Sequence, residues 1–178
     1  MNKIQVDGKD FEIFLENELI NKRIRLIGIQ LNVDYESRCP IFIGVLNGSF
    51  LFMADLLKEI DVACEVEFIR VASYEGVNST GSVKEVFGLP HDLGGRDIII
   101  VEDIIDTGLT LSHVLEKVSA QEPASIQVCS LLFKPAALLS PMPALNYIGF
   151  EIPNEFVVGY GLDYNGLGRN LKDIYRAV

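Results

Sequence analysis

The stretch Val101-Glu-Asp-Ile-Ile-Asp-Thr-Gly-Leu-Thr110 decides the reading of this chain. Asp97-Ile-Ile-Ile runs directly into it, so an apolar segment of strand character ends in two adjacent carboxylates, Glu102 and Asp103. A third carboxylate, Asp106, follows Ile104 and Ile105, and then comes a tight turn of Thr and Gly. A helical pattern takes over from Leu111 to Val118. A strand that delivers acids to its carboxyl end, followed by a small-residue turn that opens a helix, suits a phosphorylated sugar. The turn offers bare backbone N–H groups, and a helix N-terminus favours an anion. The acids suit a ribose diol, a metal ion or a proton transfer, and they would repel the phosphate itself.

Working outward, Gln5 to Phe11 predicts a hairpin around Asp7-Gly8. Ile20, Ile24, Ile27 and Leu31 recur at helical spacing and predict a helix over about 16–33. Strands are expected over 40–46, 65–71, 96–101 and 126–133, with shorter ones at 147–150 and 156–158. Further helices are expected over 49–60 and 109–120. Strands that alternate with helices make an α/β fold, a doubly wound, mostly parallel sheet flanked by helices. Ligands on such sheets bind past the carboxyl ends of the strands. Asn47, Asp103, Lys134 and Val157 are all expected to follow strands, which gathers them at one rim. Between Ala72 and Gly94 the pattern loses its period and Gly76, Asn78, Ser79, Thr80 and Gly81 make it polar; a loop of that length in a compact domain is usually functional or disordered.

The chain has 178 residues, 49% of them hydrophobic, which fits one domain over 1–178 with a substantial core. No apolar run approaches the roughly 20 residues that span a bilayer, and Met1-Asn-Lys-Ile-Gln5 lacks the apolar stretch of a signal peptide, so no membrane is expected. Three widely spaced cysteines, Cys39, Cys64 and Cys129, form no metal-ligand pattern and read as core residues in a reducing cytoplasm. A formal net charge of −10 argues against a nucleic-acid partner. A protein this acidic that binds an anion needs local positive charge from a few basic side chains and oriented amides.

The opening decapeptide resembles the 5-phosphoribosyl-1-diphosphate (PRPP) motif of the phosphoribosyltransferases, in their hypoxanthine-guanine branch. Four more blocks carry the resemblance in the family's order: Gly44-Val-Leu-Asn-Gly-Ser-Phe50, Phe68-Ile-Arg-Val-Ala-Ser-Tyr74, Leu131-Leu-Phe-Lys134, and Phe156-Val-Val-Gly-Tyr-Gly-Leu-Asp-Tyr-Asn165 with Arg169. The resemblance implies a type I phosphoribosyltransferase fold. A small hood would come from the N-terminal strand and the segment about 145–178. A flexible lid over about 72–94 would start from Ser73 and Tyr74; the plain alternative for the lid is an ordinary surface hairpin.

It further implies transfer of the phosphoribosyl group from PRPP to hypoxanthine and guanine, giving IMP or GMP plus pyrophosphate, with Mg²⁺, in a homodimer or homotetramer. The alternatives are transfer to another base such as xanthine, and a non-catalytic PRPP-sensing regulator on the same fold. Thr107, Gly108, Leu109 and Thr110 would hold the 5′-phosphate; the plain alternative, a helix cap at Thr107, explains neither Glu102 nor Asp103. Glu102 and Asp103 would take the ribose hydroxyls. Asp106 is the candidate general base or acid at purine N7.

Lys134 would select a 6-oxo group, since an ammonium only donates hydrogen bonds. Phe156 would stack on the purine and Val157 would meet its edge through the backbone. Asn47, Gly48 and Arg169 would hold pyrophosphate, and Asp163 would be the Mg²⁺ ligand. The bland readings are a surface salt bridge for Arg169 and a turn residue for Asp163. Asn47 departs from the family's usual Lys. The resemblance also implies that the peptide following this residue can be cis.

Overall fold

The structure is a computed structural model that describes residues 3–74 and 83–178. Its main sheet has six strands in the order β5-β4-β3-β6-β7-β8. These are β3 (Ile41–Leu46), β4 (Glu65–Tyr74), β5 (Val83–Phe87), β6 (Asp97–Ile105), β7 (Ser125–Phe133) and β8 (Leu145–Glu151). All neighbours are parallel except β5, which runs antiparallel along the edge of β4. Strand β3 and the stretch 98–101 of β6 are apolar throughout because both faces of a parallel sheet are covered.

Helices cover both faces. On one, α1 (Asn17–Asp34) and α2 (Phe50–Leu57) pack Ile20, Ile24, Leu31, Phe52 and Leu56 against Phe42, Ile99 and Cys129. On the other, α3 (Leu109–Ser119) packs Leu111, Val114 and Val118 against Ile41, Ile43, Ile98 and Ile100. The period-two alternation of β3 and β6 thus divides one set of apolar side chains between two cores. This is the doubly wound architecture expected.

A second sheet of four antiparallel strands, β1-β2-β10-β9, stands beside the rim. It comprises β1 (Lys3–Val6), β2 (Lys9–Leu15), β9 (Val157–Val158) and β10 (Ile174–Ala177) around Phe11, Val158 and Tyr175. The β1–β2 turn is Asp7-Gly8, both at positive φ (46° and 75°), as a two-residue hairpin requires. Leu145–Glu151 pairs with β7 and belongs to the main sheet. The C-terminal share of the small sheet is therefore residues 157–177, narrower than the segment 145–178.

Three local expectations change. Strand β6 runs four residues past Val101, because Ile104 and Ile105 pair with Leu132 and Phe133; Asp103 therefore lies inside the strand and not after it. Val157 also lies inside a strand, in the small sheet. The flanks of the aperiodic segment pair with each other, Ala72 with Glu85 and Tyr74 with Val83. Backbone pairing at a sheet edge leaves no signature in side-chain periodicity. The tip of the proposed lid, 75–82, lies outside the described residues, as do Gly76, Asn78, Ser79, Thr80 and Gly81.

Candidate active site

The end of β6 and the start of α3 build the first half of the site. Gly108, at φ 81°, is the N-cap of α3, and no side chain caps that helix. Thr107 is therefore not the capping residue; its hydroxyl oxygen accepts the Leu109 N–H at 3.4 Å. At φ 81° Gly108 takes a backbone conformation that L side chains rarely adopt, so the turn requires glycine here. Around this turn lies a cleft of about 390 Å³ lined by Glu102, Asp106, Thr107, Gly108 and Thr110. Four of the residues expected to hold a sugar phosphate, with Asp106, face one space.

Glu102 is buried, and burial followed by the neighbouring Asp103 charge raises its carboxyl well above the ordinary range. Burial also pushes Asp103 up, to about 6, against the lowering effect of its Ile104 N–H bond (2.8 Å) and of Arg169. Asp103 lies directly on Gly48: a Cβ there would sit 1.7 Å from a carboxylate oxygen. The loop after β3 can approach β6 only because residue 48 has no side chain.

The second half is a cleft of about 550 Å³ lined by Asp103, Asp106, Lys134, Phe156, Val157 and Asp163, among others. Lys134 follows β7, with a side chain only 8% exposed, and its ammonium donates to Asp106 at 2.9 Å. Asp106 is 47% exposed and borders both clefts. Phe156 is 44% exposed, far from a plain core aromatic, and meets Tyr164 edge-on at 5.6 Å.

The third group sits in the turns between β9 and β10. Arg169 donates to the Gly161 carbonyl (2.7 Å) and pairs with Asp163 (2.5 Å). Asp163 also accepts the Gly166 N–H at 2.7 Å, so it is a turn residue as well as a wall of the cleft. Both bland readings of these two residues are thus visible alongside their place in the site. A cis peptide bond occurs at Leu46–Asn47, one bond earlier than the resemblance implied.

Among the described residues, no group of three or more His, Cys, Asp or Glu could hold a metal unaided. The donor set nevertheless fits magnesium. That ion takes one or two carboxylates plus water and phosphate oxygens, and Asp163 offers a carboxylate on the cleft wall. Ser73 and Tyr74 end β4, and their expected lid role belongs to the segment outside the described residues. His91 and His113 line neither cleft.

Sequence reasoning missed two features. Gly161 lies so close to the Gly48 carbonyl that a Cβ would be 2.0 Å from it. Lys9 reaches the aromatic wall of the second cleft from the opposite end of the chain. The repeated glycines at 159 and 161 hinted at the first; nothing local to Lys9 announced the second.

A mostly parallel sheet with an anion-favouring helix N-terminus, paired acids on the strand before it and an adjoining cleft with an aromatic wall is an arrangement suited to a phosphorylated sugar joined to a ring. The chain belongs to the phosphoribosyltransferases: the family described as "Phosphoribosyl transferase domain" matches residues 11–165. Within them it falls in the hypoxanthine-guanine branch. It is 43% identical to the hypoxanthine-guanine phosphoribosyltransferase of Bacillus subtilis strain 168 over 164 residues, covering 92% of this chain and 91% of that protein. Identity is also 43% to the bifunctional protein TilS/HprT of Listeria innocua, over 92% of this chain but only 25% of that longer protein. The crystal structure of a hypoxanthine-guanine phosphoribosyltransferase from Bacillus anthracis superposes with a TM-score of 0.84 at 33% identity, covering 94% and 99% of the two chains.

Proposed function

We propose that this chain transfers the 5-phosphoribosyl group of PRPP to hypoxanthine and guanine, as a purine-salvage enzyme. The observation that carries the reading is the position of Asp106. It forms the wall between the cleft at the start of α3 and the cleft of Lys134 and Phe156, and it is hydrogen-bonded to Lys134. A ribose C1′ joining a phosphate site to a base site must pass that wall.

The amides of residues 107–110 hold the 5′-phosphate and fix the sugar. Glu102 and Asp103 accept hydrogen bonds from the ribose hydroxyls. The bond from C1′ to the diphosphate oxygen breaks as the purine N9–C1′ bond forms. The electron pair leaves on the diphosphate, and the N7 proton passes to the Asp106 carboxylate. An ammonium has three donors, so the one that Lys134 gives to Asp106 leaves others for a 6-oxo group. The amino group of adenine presents donors against donors and is rejected.

Phe156 covers the purine face and the Val157 backbone meets its edge. Arg169, Gly48 and Asn47 receive the diphosphate. Asp163 would hold magnesium, which when bound would supply positive charge facing the leaving diphosphate. Ser73 and Tyr74 begin a lid that keeps water from the sugar cation.

A cytoplasmic setting is part of this reading and accords with three free cysteines, of which only Cys129 is a core residue while Cys39 is exposed. Assembly into a homodimer or homotetramer belongs to the same reading; the outward face of α1 exposes Leu26, Ile29 and Val33, apolar surface of the kind such contacts cover. The test is a panel of hypoxanthine, guanine, xanthine, adenine and uracil with PRPP and Mg²⁺, following pyrophosphate release. Turnover with hypoxanthine and guanine and none with adenine or uracil is expected. Turnover confined to another base would replace the substrate, and silence on all five would favour a regulator.

A further inference from the structure

We propose that Lys9 is a positioning residue of the purine cleft, fixing Phe156 through a cage of three aromatic rings; this rests on the reading of that cleft as the base site. The Lys9 ammonium lies 5.1 Å from the ring centre of Phe156, 5.4 Å from that of Tyr164 and 5.9 Å from that of Phe11. The rings lean on one another, with centres 5.6 to 6.3 Å apart and planes inclined by 48° to 76°. A cation over an aromatic face is attracted by the ring's quadrupole, and here three faces share one charge. Among the described residues no carboxylate pairs with Lys9, so its charge is not committed elsewhere.

The arrangement is anchored at one end only. Phe11 is wholly buried in the small sheet, whereas Phe156 is half-exposed at the cleft. An exposed ring on a loop turns freely unless something holds it, and the Lys9 ammonium ties Phe156 to the buried Phe11. The same hairpin tip makes a second tie, since Asp7 accepts a hydrogen bond from the Asn165 side chain at 2.7 Å. That places the hairpin against the turn carrying Asp163 and Tyr164. The Asp7-Gly8 turn delivers Lys9 as the first residue of β2, which is why a residue so near the chain's start reaches the base cleft.

Lys9→Met keeps the alkyl stem and removes the charge, and Lys9→Arg keeps a cation. In steady-state assays with hypoxanthine and PRPP, K9M is expected to raise the KM for hypoxanthine about fivefold, the effect of losing an exposed cation–π contact. The kcat and the KM for PRPP should stay within about twofold, and K9R should stay close to wild type. In a Phe156→Leu background the K9M effect on purine KM should vanish, because the ring it acts through is gone. Should K9M not fold, Lys9→Gln carries the same comparison. A purine KM within about twofold of wild type, an effect that persists in F156L, or equal losses for both substrates would overturn the proposal. A wild type that transfers to no purine would fail the base-site reading and Lys9 with it, whereas an active wild type with an insensitive K9M fails the Lys9 role alone.

Discussion

At the scale of single residues, the site is built from carboxylates in unlike surroundings. Asp106 is half-exposed and paired to a buried ammonium; Asp103 is wedged against a glycine and pushed up to about 6. Asp106→Asn is expected to keep PRPP binding but slow turnover by about two orders of magnitude or more, as lost acid–base catalysis does. Pre-steady-state kinetics with an equilibrium PRPP titration separates the two effects, and near-normal turnover would remove Asp106 from the proton transfer. Asp103 carries a pH signature. Its folded pKa lies above the unfolded value of roughly 3.9, so the native state binds more protons between about 4 and 6. The stability it contributes is full below about 4 and is lost as pH rises through about 6. Asp103→Asn should therefore gain stability relative to wild type as pH goes from 4 to 7, by on the order of 1–3 kcal/mol, measured by urea unfolding. A difference that does not vary with pH would contradict the burial argument.

At the scale of elements, the strand and helix pattern was largely legible. Ile20, Ile24, Ile27 and Leu31 marked α1, and the apolar runs 41–46 and 98–101 marked the buried parallel strands β3 and β6. That the acids of 102–106 and the turn at 107–110 border one cleft was legible because strand, acids, small turn and helix follow one another without interruption. Long-range contacts were not legible. Ile174–Ala177 is too short for its period to register, yet it joins β2 to β9 and brings the Phe156 block to the rim. The close approach of Gly161 to Gly48 likewise joins loops more than a hundred residues apart. Gly161→Ala tests that joint: φ +99° and a Cβ 2.0 Å from the Gly48 carbonyl leave no room for a methyl. A loss of about 1–3 kcal/mol of stability is expected, with at least tenfold weaker diphosphate binding, read by thermal melting and calorimetric titration. Unchanged affinity would mean that the two loops do not position the diphosphate together.

At the scale of the whole molecule, an acidic chain of net charge −10 handles a polyanion. The balance is local, with Lys134, Arg169 and the start of α3 around the two clefts, and on the proposed reading a magnesium ion would complete it. Chelating the divalent cation should weaken diphosphate binding by about tenfold or more but alter IMP affinity by less than about twofold, since IMP carries no diphosphate. Calorimetry with and without chelator makes the comparison, and equal losses for both ligands would point to a cation serving the fold. The two sheets meet at the site: the main sheet brings Asp106 and Lys134, and the small sheet brings Val157 and the residues flanking it.

The most direct measurement is a crystal structure with IMP bound. The expected result places the phosphate on the amides of residues 107–110, the ribose hydroxyls at Glu102 and Asp103, and the base between Phe156 and the Lys134 ammonium, with N7 beside Asp106. Nucleotide bound elsewhere, with the turn before α3 empty, would contradict the account.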